Sequence, residues 1–290
     1  MTFTAGIDVG STYTKALILS DEGEIAGRAL DNTGFRLAEI ARRTYEQALA
    51  EARLGANDVS YVISTGFGRH MVEFSDLAVT DLTASARGSN FLFPATRTIL
   101  DVGGQTMKAT RLDLNGKVKS FRLNDKCAAG TGAFLEKTAR YMGFSTEEIG
   151  PLVATSKEAV PISGVCAVFA ESEVINQLSL GAAPADIMHG AISSLVDRSL
   201  QLMKRVQMEP AFTLIGGILR FETMARLVRE HLKSEVNVPS GDMVQFTTAL
   251  GAALLARQRL SKLGGTNFVR TSHVSAGKSE EIAVSMGPPN

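Results

Sequence analysis

Apolar positions come first in short runs and later in helical stripes. Residues 5–10 (AGIDVG) form an apolar run ending in glycine, and TKALILS and EIAGRAL flank the turn Asp21-Glu22-Gly23, so the pattern predicts three strands joined by hairpins. Leu37, Ile40, Ala41, Tyr45, Ala48 and Leu49 then recur at helical spacing, Gly55 stops the helix, and Tyr61–Thr65 reads as a buried strand. The plan returns further on: TILDVGG, MKATRLDL, the turn Asn115-Gly116, KVKSFRL, then a helix through Phe134, Leu135 and Tyr141 that ends at Gly143. Asp8-Val9-Gly10-Ser11-Thr12 aligns with Asp101-Val102-Gly103-Gly104-Gln105 at an offset of 93 residues, an internal duplication too long for a solenoid repeat. Beyond it, 167–180, 186–206, 221–233 and 249–260 (ALGAALLARQRL) read as helices, and 212–216 as a strand running into Gly216-Gly217.

A duplication within 290 residues predicts an α/β protein of two related lobes with a cleft between them. The expected division is 1–95 for the first lobe and 96–263 for the second, whose last helix returns toward the first, with 264–290 as a polar, mobile tail. A hydrophobic share of 44% and a charged share of 21% exclude collagen, coiled coil and bulk disorder. Thirty basic and thirty acidic residues cancel, which argues against nucleic acid or an anionic membrane as partner. The absence of a long apolar run or a leader-like N-terminus points to a cytoplasmic protein. Cys127 and Cys166 are too few for a disulfide framework and read as free thiols or metal ligands.

The chemistry sits at the duplicated turns. Asp8 ends a strand, and Gly10-Ser11-Thr12 after it offers backbone N–H groups and hydroxyls to an anion, while the carboxylate can hold a water on a bound Mg²⁺. One copy alone reads more plainly as an ordinary Asp-x-Gly turn. Two copies, Asp8 and Asp101, predict a two-sided clamp on a polyphosphate and its Mg²⁺. Gln105 can orient a water but is a poor base, so hydrolysis fits better than transfer to a sugar. Lys15 either neutralises phosphate charge or is a solvated strand lysine. Gly216-Gly217 either lets an adenosine lie against backbone or closes a turn. Gly277-Lys278-Ser279 lacks the first glycine of a P-loop, having Ser272 there, and Gly130-Thr131-Gly132 lacks the third glycine of a dinucleotide fingerprint, having Leu135.

Cys127, in NDKCAAGTG, and Cys166, in GVCAVFA, each precede a predicted helix, whose N-terminal dipole and free N–H groups favour a thiolate and an anionic cluster. Two thiolates do not complete an iron–sulfur site, but a two-fold dimer would supply four. From spacing alone, two inert buried thiols remain the plainer reading. His70, His189, His231 and His273 show no ligand spacing.

GIDVGSTYTK, LDVGGQ, NDKCAAGTG, GVCAVFAESEV and ALGAALLA, in this order, resemble the ATPase component family shared by benzoyl-CoA reductases and the activators of 2-hydroxyacyl-CoA dehydratases, over residues 1–260. The resemblance implies a duplicated actin-like, sugar-kinase-like two-lobed ATPase fold. It further implies a dimer with an identical or paralogous ATPase partner and one 4Fe-4S cluster shared through Cys127 and Cys166. Taken with the duplicated turns, it makes ATP and Mg²⁺ the expected cofactors and Asp8, Asp101 and Gln105 the expected catalytic set. The resemblance carries Ser11, Thr12, Tyr13, Thr14, Lys15 and Gln105 over to the phosphates and Gly217 and Gln245 to the nucleoside, and the glycine turns add Gly103, Gly104 and Gly216. The implied role is to take an electron from a ferredoxin-type donor and, with hydrolysis, deliver it at lower potential to an iron–sulfur protein that binds a CoA thioester. The stretch Ala133 to Gly143 and the chain length lean toward benzoyl-CoA reductase, with dehydratase activation as the alternative. A carbohydrate kinase needs a sugar site with a carboxylate base and would leave the two cysteines unexplained, and a chaperone-like or filament ATPase needs a polymerising surface or a peptide-binding domain, for which the tail is too short.

Overall fold

The structure, a computed structural model, describes residues 2–124, 130–162 and 167–264. Cys127, Cys166 and all of the expected tail after Gly264 lie outside the described residues. The chain divides into two compact units: the first comprises Met1–Gly88 and resumes at Thr248, and the second is Ser89–Thr247. Both crossings fall inside helices, α2 (Asp81–Leu92) and α8 (Met243–Lys262).

In the first unit β1 (Phe3–Val9), β2 (Tyr13–Ser20), β3 (Ile25–Asn32), β4 (Val59–Thr65) and β5 (Leu77–Ala78) form one sheet in the order β3-β2-β1-β4-β5. The hairpin strands are antiparallel, whereas β4 and β5 join in parallel, β4 after a crossover through α1 (Leu37–Ala52). Period-two alternation explains the layering. Ala5, Ile7 and Val9 of β1 pack with Ala41, Tyr45, Ala48 and Leu49 of α1, while Tyr61 and Ile63 of β4 pack with Ala84 of α2 and Ala252, Ala256 and Leu260 of α8. Gly6 faces α8 so closely that a Cβ there would run into the Ala249 carbonyl, and this is why the last helix is built of small residues.

The second unit repeats the sheet: β6 (Thr98–Val102), β7 (Met107–Leu112), β8 (Val118–Asn124), β9 (Phe212–Ile215) and β10 (Val236–Asn237), in the order β10-β9-β6-β7-β8. Its β6–β7–β8 meander is antiparallel and β9 is parallel to β6, as in the first unit. Between β8 and β9 lie α3 (Gly132–Tyr141), α4 (Ile149–Ala154), α5 (Ala167–Ser179) and α6 (Pro184–Arg205), and α7 (Glu222–Leu232) follows β9. The 22-residue α6 has Pro at its start, Asp186 in its first turn and Lys204 and Arg205 in its last, all matched to the helix dipole. Its Ile187, Ala191, Leu195 and Met203 are fully buried in the core with Phe134, Leu135, Ile149 and Met224. Complete burial of one such large side chain contributes roughly 1.5–3 kcal/mol.

Candidate functional site

The first unit builds its candidate site where β1 turns into β2. Gly10 N–H donates to the Tyr13 carbonyl (3.1 Å), closing a turn over Ser11 and Thr12. Thr33 braces it from outside: its hydroxyl donates to the Gly10 carbonyl (2.8 Å) and its N–H to the Thr12 carbonyl (2.9 Å). Thr14 is fully buried with its hydroxyl 3.0 Å from that of Thr33, so its side chain supports the turn from beneath. Asp8 is 7% exposed, and Lys15, its cross-strand partner, places Nζ 3.2 Å from Asp8 Oδ2. Lys15 is therefore a partly buried, paired lysine rather than a solvated one. Behind the carboxylate stands Gly66, at φ +89°, where a Cβ would lie 2.5 Å from Asp8 Oδ1.

The second unit repeats this arrangement. Gly103 N–H donates to the Thr106 carbonyl (2.8 Å), closing the turn that carries Gly104 and the exposed Gln105. Asp101 pairs across the strands with Lys108, whose Nζ is 3.6 Å from Asp101 Oδ2. Gly216, at φ +99°, stands behind this carboxylate, where a Cβ would lie 2.8 Å from Asp101 Oδ1 and inside the Val102 carbonyl. Gly216 N–H donates to the Val244 carbonyl (2.9 Å), and a Cβ on Gly217 would sit 3.7 Å from Gln245 Oε1. Asp101, the 103–105 turn, Gly216, Gly217 and Gln245 thus come together at one end of this sheet, as Asp8, Ser11, Thr12, Tyr13 and Lys15 do in the first unit. Lys108, Gly66 and Thr33 went unrecognised in the sequence. Lys108 lies 93 residues after Lys15, so the repeat offset could have found it.

Carboxylates and hydroxyls are hard oxygen donors of the kind that fits Mg²⁺, and main-chain N–H groups of such turns fit phosphate oxygens. One further connection bears on the cysteines. Gly132 N–H donates to the Gly103 carbonyl (3.0 Å) and Ala133 N–H to the Gly104 carbonyl (2.7 Å), so the first turn of α3 is capped by the turn after Asp101. Gly132 permits this approach, since a Cβ there would meet the Gly103 carbonyl at 3.2 Å and Ile218 Cδ1 at 2.8 Å. The expected ligands Cys127 and Cys166 lie outside the described residues, and among the described residues no three His, Cys, Asp or Glu side chains gather into a metal-binding group. No described helix is long and apolar enough to cross a membrane.

The 2-hydroxyisocaproyl-CoA dehydratase activator of Clostridioides difficile is 38% identical over 88% of this chain and 94% of its own. The activator of lactoyl-CoA dehydratase of Anaerotignum propionicum is 39% identical over 90% of this chain and 99% of its own. One of the subunits of benzoyl-CoA reductase of Thauera aromatica is 34% identical, over 91% and 97% respectively. Among solved structures, component A of the (R)-2-hydroxyglutaryl-CoA dehydratase of Acidaminococcus fermentans superposes with a TM-score of 0.86 at 35% identity, covering 90% of this chain and all of that one. The Clostridium difficile activator with bound ADPNP gives 0.85 at 36%, covering 95% of this chain and 100% of that one. A ROK family glucokinase from Streptomyces griseus, at 0.55 and 15% over 88% of this chain and 99% of its own, shares the fold alone. The fold is the expected actin-like, sugar-kinase-like α/β fold. The expected lean toward benzoyl-CoA reductase is not favoured, because the dehydratase activators match at higher identity. The BadF/BadG/BcrA/BcrD ATPase family profile matches residues 5–256, and the chain belongs to that family.

Proposed function

We propose that this ATPase is the activator of a 2-hydroxyacyl-CoA dehydratase, working beside an identical or paralogous second copy in a reducing, cytoplasmic setting. Asp8 and Asp101 are the carboxylates that would hold Mg²⁺, Gln105 orients the attacking water, and Lys15 offsets phosphate charge. Ser11 to Lys15, Gly103 and Gly104 line the phosphates, while Gly216, Gly217 and Gln245 border the nucleoside. Cys127 and Cys166 of two such chains provide four thiolates for one 4Fe-4S cluster, which when bound supplies one-electron transfer. A ferredoxin-type protein is the donor, and an iron–sulfur dehydratase component is the recipient.

The observation that carries this reading is the pair of hydrogen bonds from Gly132 and Ala133 to the Gly103 and Gly104 carbonyls. They tie the turn after Asp101 to the helix that opens just past the Cys127 segment, giving nucleotide state a short route to that segment. The matches to dehydratase activators support the choice of branch. The distinguishing chemistry is electron economy: dehydration is redox-neutral and can return its electron, whereas ring reduction consumes electrons at every turnover. With the native partner component, a single dose of ATP and reductant is expected to support many turnovers of a 2-hydroxyacyl-CoA. Dehydration that stops when the dose is spent, together with steady reduction of benzoyl-CoA under continuous supply, would overturn the assignment.

A further inference from the structure

The duplication extends beyond the Asp-Val-Gly motif into a second layer of contacts. Lys15 faces Asp8 across β1 and β2, and Lys108 faces Asp101 across β6 and β7, in the same register and at the same offset. The ammonium-to-carboxylate separations are 3.2 and 3.6 Å, and the four side chains are only 10–16% exposed. A lysine held that far from water is costly unless it is paired, so neither side chain sits there by indifference. The opposite side of each carboxylate is also matched. Asp8 Oδ1 lies against Gly66 and Asp101 Oδ1 against Gly216, both glycines at positive φ. Each carboxylate is therefore held between an ammonium on one oxygen and bare backbone by the other, which leaves it little rotational freedom about its own side chain.

We infer that Lys108 is a positioning residue for ATP hydrolysis: it acts through Asp101, holding that carboxylate in the orientation it presents at the 103–105 turn. The inference rests on the ATPase part of the proposed function and is independent of which CoA thioester the partner takes. Lys108 needs no contact with the nucleotide in this role, which separates it from a phosphate-binding lysine. A phosphate contact contributes to ground-state and transition-state binding together, whereas a misplaced carboxylate is felt mainly in turnover.

The test is a double-mutant cycle on Mg·ATP hydrolysis by the full chain, using Lys108→Met, Asp101→Asn and the pair, with radiolabelled ATP so that very slow turnover stays measurable. Lys108→Met is expected to lower kcat by about tenfold or more, with KM moving by less than about threefold, the pattern of an interaction made chiefly in the transition state. In the Asp101→Asn background the same substitution is expected to cost almost nothing, because the group it positions is no longer a carboxylate. Lys108→Arg, which keeps the charge, is expected to recover most of the rate. An equal loss in both backgrounds, or a raised KM with kcat intact, would overturn the inference. Should Lys108→Met melt before assay temperature, Lys108→Gln takes its place in the same cycle. A wild-type chain that hydrolyses ATP but activates no dehydratase would count against the proposed function alone, while an additive cycle in a working activator would count against this inference alone.

Discussion

Asp8 and Asp101 owe their setting to residues of opposite kind, a lysine across the hairpin and a glycine behind. Gly66 illustrates the second requirement. At φ +89° an L side chain is strained, and a Cβ would press on Asp8 Oδ1 and the Val9 carbonyl, both at 2.5 Å. Strain of this sort costs on the order of 1–3 kcal/mol, and relief here means moving the carboxylate. Gly66→Ala is therefore expected to lower the melting temperature by several degrees and to cut hydrolysis by at least about tenfold, roughly 1.4 kcal/mol of barrier. Thermal melts and steady-state rates check it, and wild-type rates in the alanine variant would refute the steric account. The aspartates were legible in the sequence because a strand ending in Asp-x-Gly occurs twice. Gly66 was not, because its role depends on a parallel strand brought alongside through the α1 crossover.

At the scale of elements, legibility followed the strength of the periodic signal. The strands around Asp8 and Asp101 and helices α1, α3, α5, α6 and α7 were expected within a few residues of where they lie. Helix α8 begins at Met243, earlier than expected, since the polar Gln245, Thr247 and Thr248 hide its start; the Thr247 hydroxyl is spent on the Met243 carbonyl (2.8 Å). Helix α2 has the composition of a loop, DLTASARGSNFL, and packing rather than propensity sustains it: Ala84, Ser85 and Ser89 are buried.

The entry into α6 carries a pH dependence of its own. Asp186 accepts from the Ser156 hydroxyl (2.8 Å) and the N–H groups of Lys157 and Glu158, and these bonds, Ser156 foremost, hold its carboxyl below the ordinary 3.8. His189, one turn on, lies with Nδ1 3.0 Å from the same hydroxyl, and burial pushes its pKa below the ordinary 6.5. Both groups bind protons more readily in the unfolded chain, so both favour the folded state at higher pH and lose that contribution on acidification. The His189 share fades as pH drops below 6.5, and the Asp186 share fades below 3.8. Melting temperature is expected to fall in that order, and Asp186→Asn should flatten chiefly the lower part of the profile, with a smaller change in the His189 part because the Asp186 charge acts on that imidazole. A rise in melting temperature between pH 7 and 5 would contradict the assignment.

Over the whole chain, a duplicated sheet is combined with an insertion into one copy. Where the first unit has α1 between β3 and β4, the second places α3 to α6 between β8 and β9, and both cysteines fall in that stretch. The duplication was readable because its two turns kept the same residues. The attachment of the insertion was not, since Gly132 and Ala133 bond main chain to main chain and leave no side-chain signature.

The central claim is that nucleotide state reaches the cysteine-bearing segment through this attachment. It is tested most directly by measuring the midpoint potential of the proposed iron–sulfur cluster in anaerobically purified protein, with Mg·ADP and with Mg·ADPNP, in the wild type and in Gly132→Val. The account predicts a potential that differs between the two nucleotides in the wild type and converges in Gly132→Val, where the added side chain displaces α3 from the Gly103 carbonyl. The same potential with both nucleotides in the wild type would contradict it.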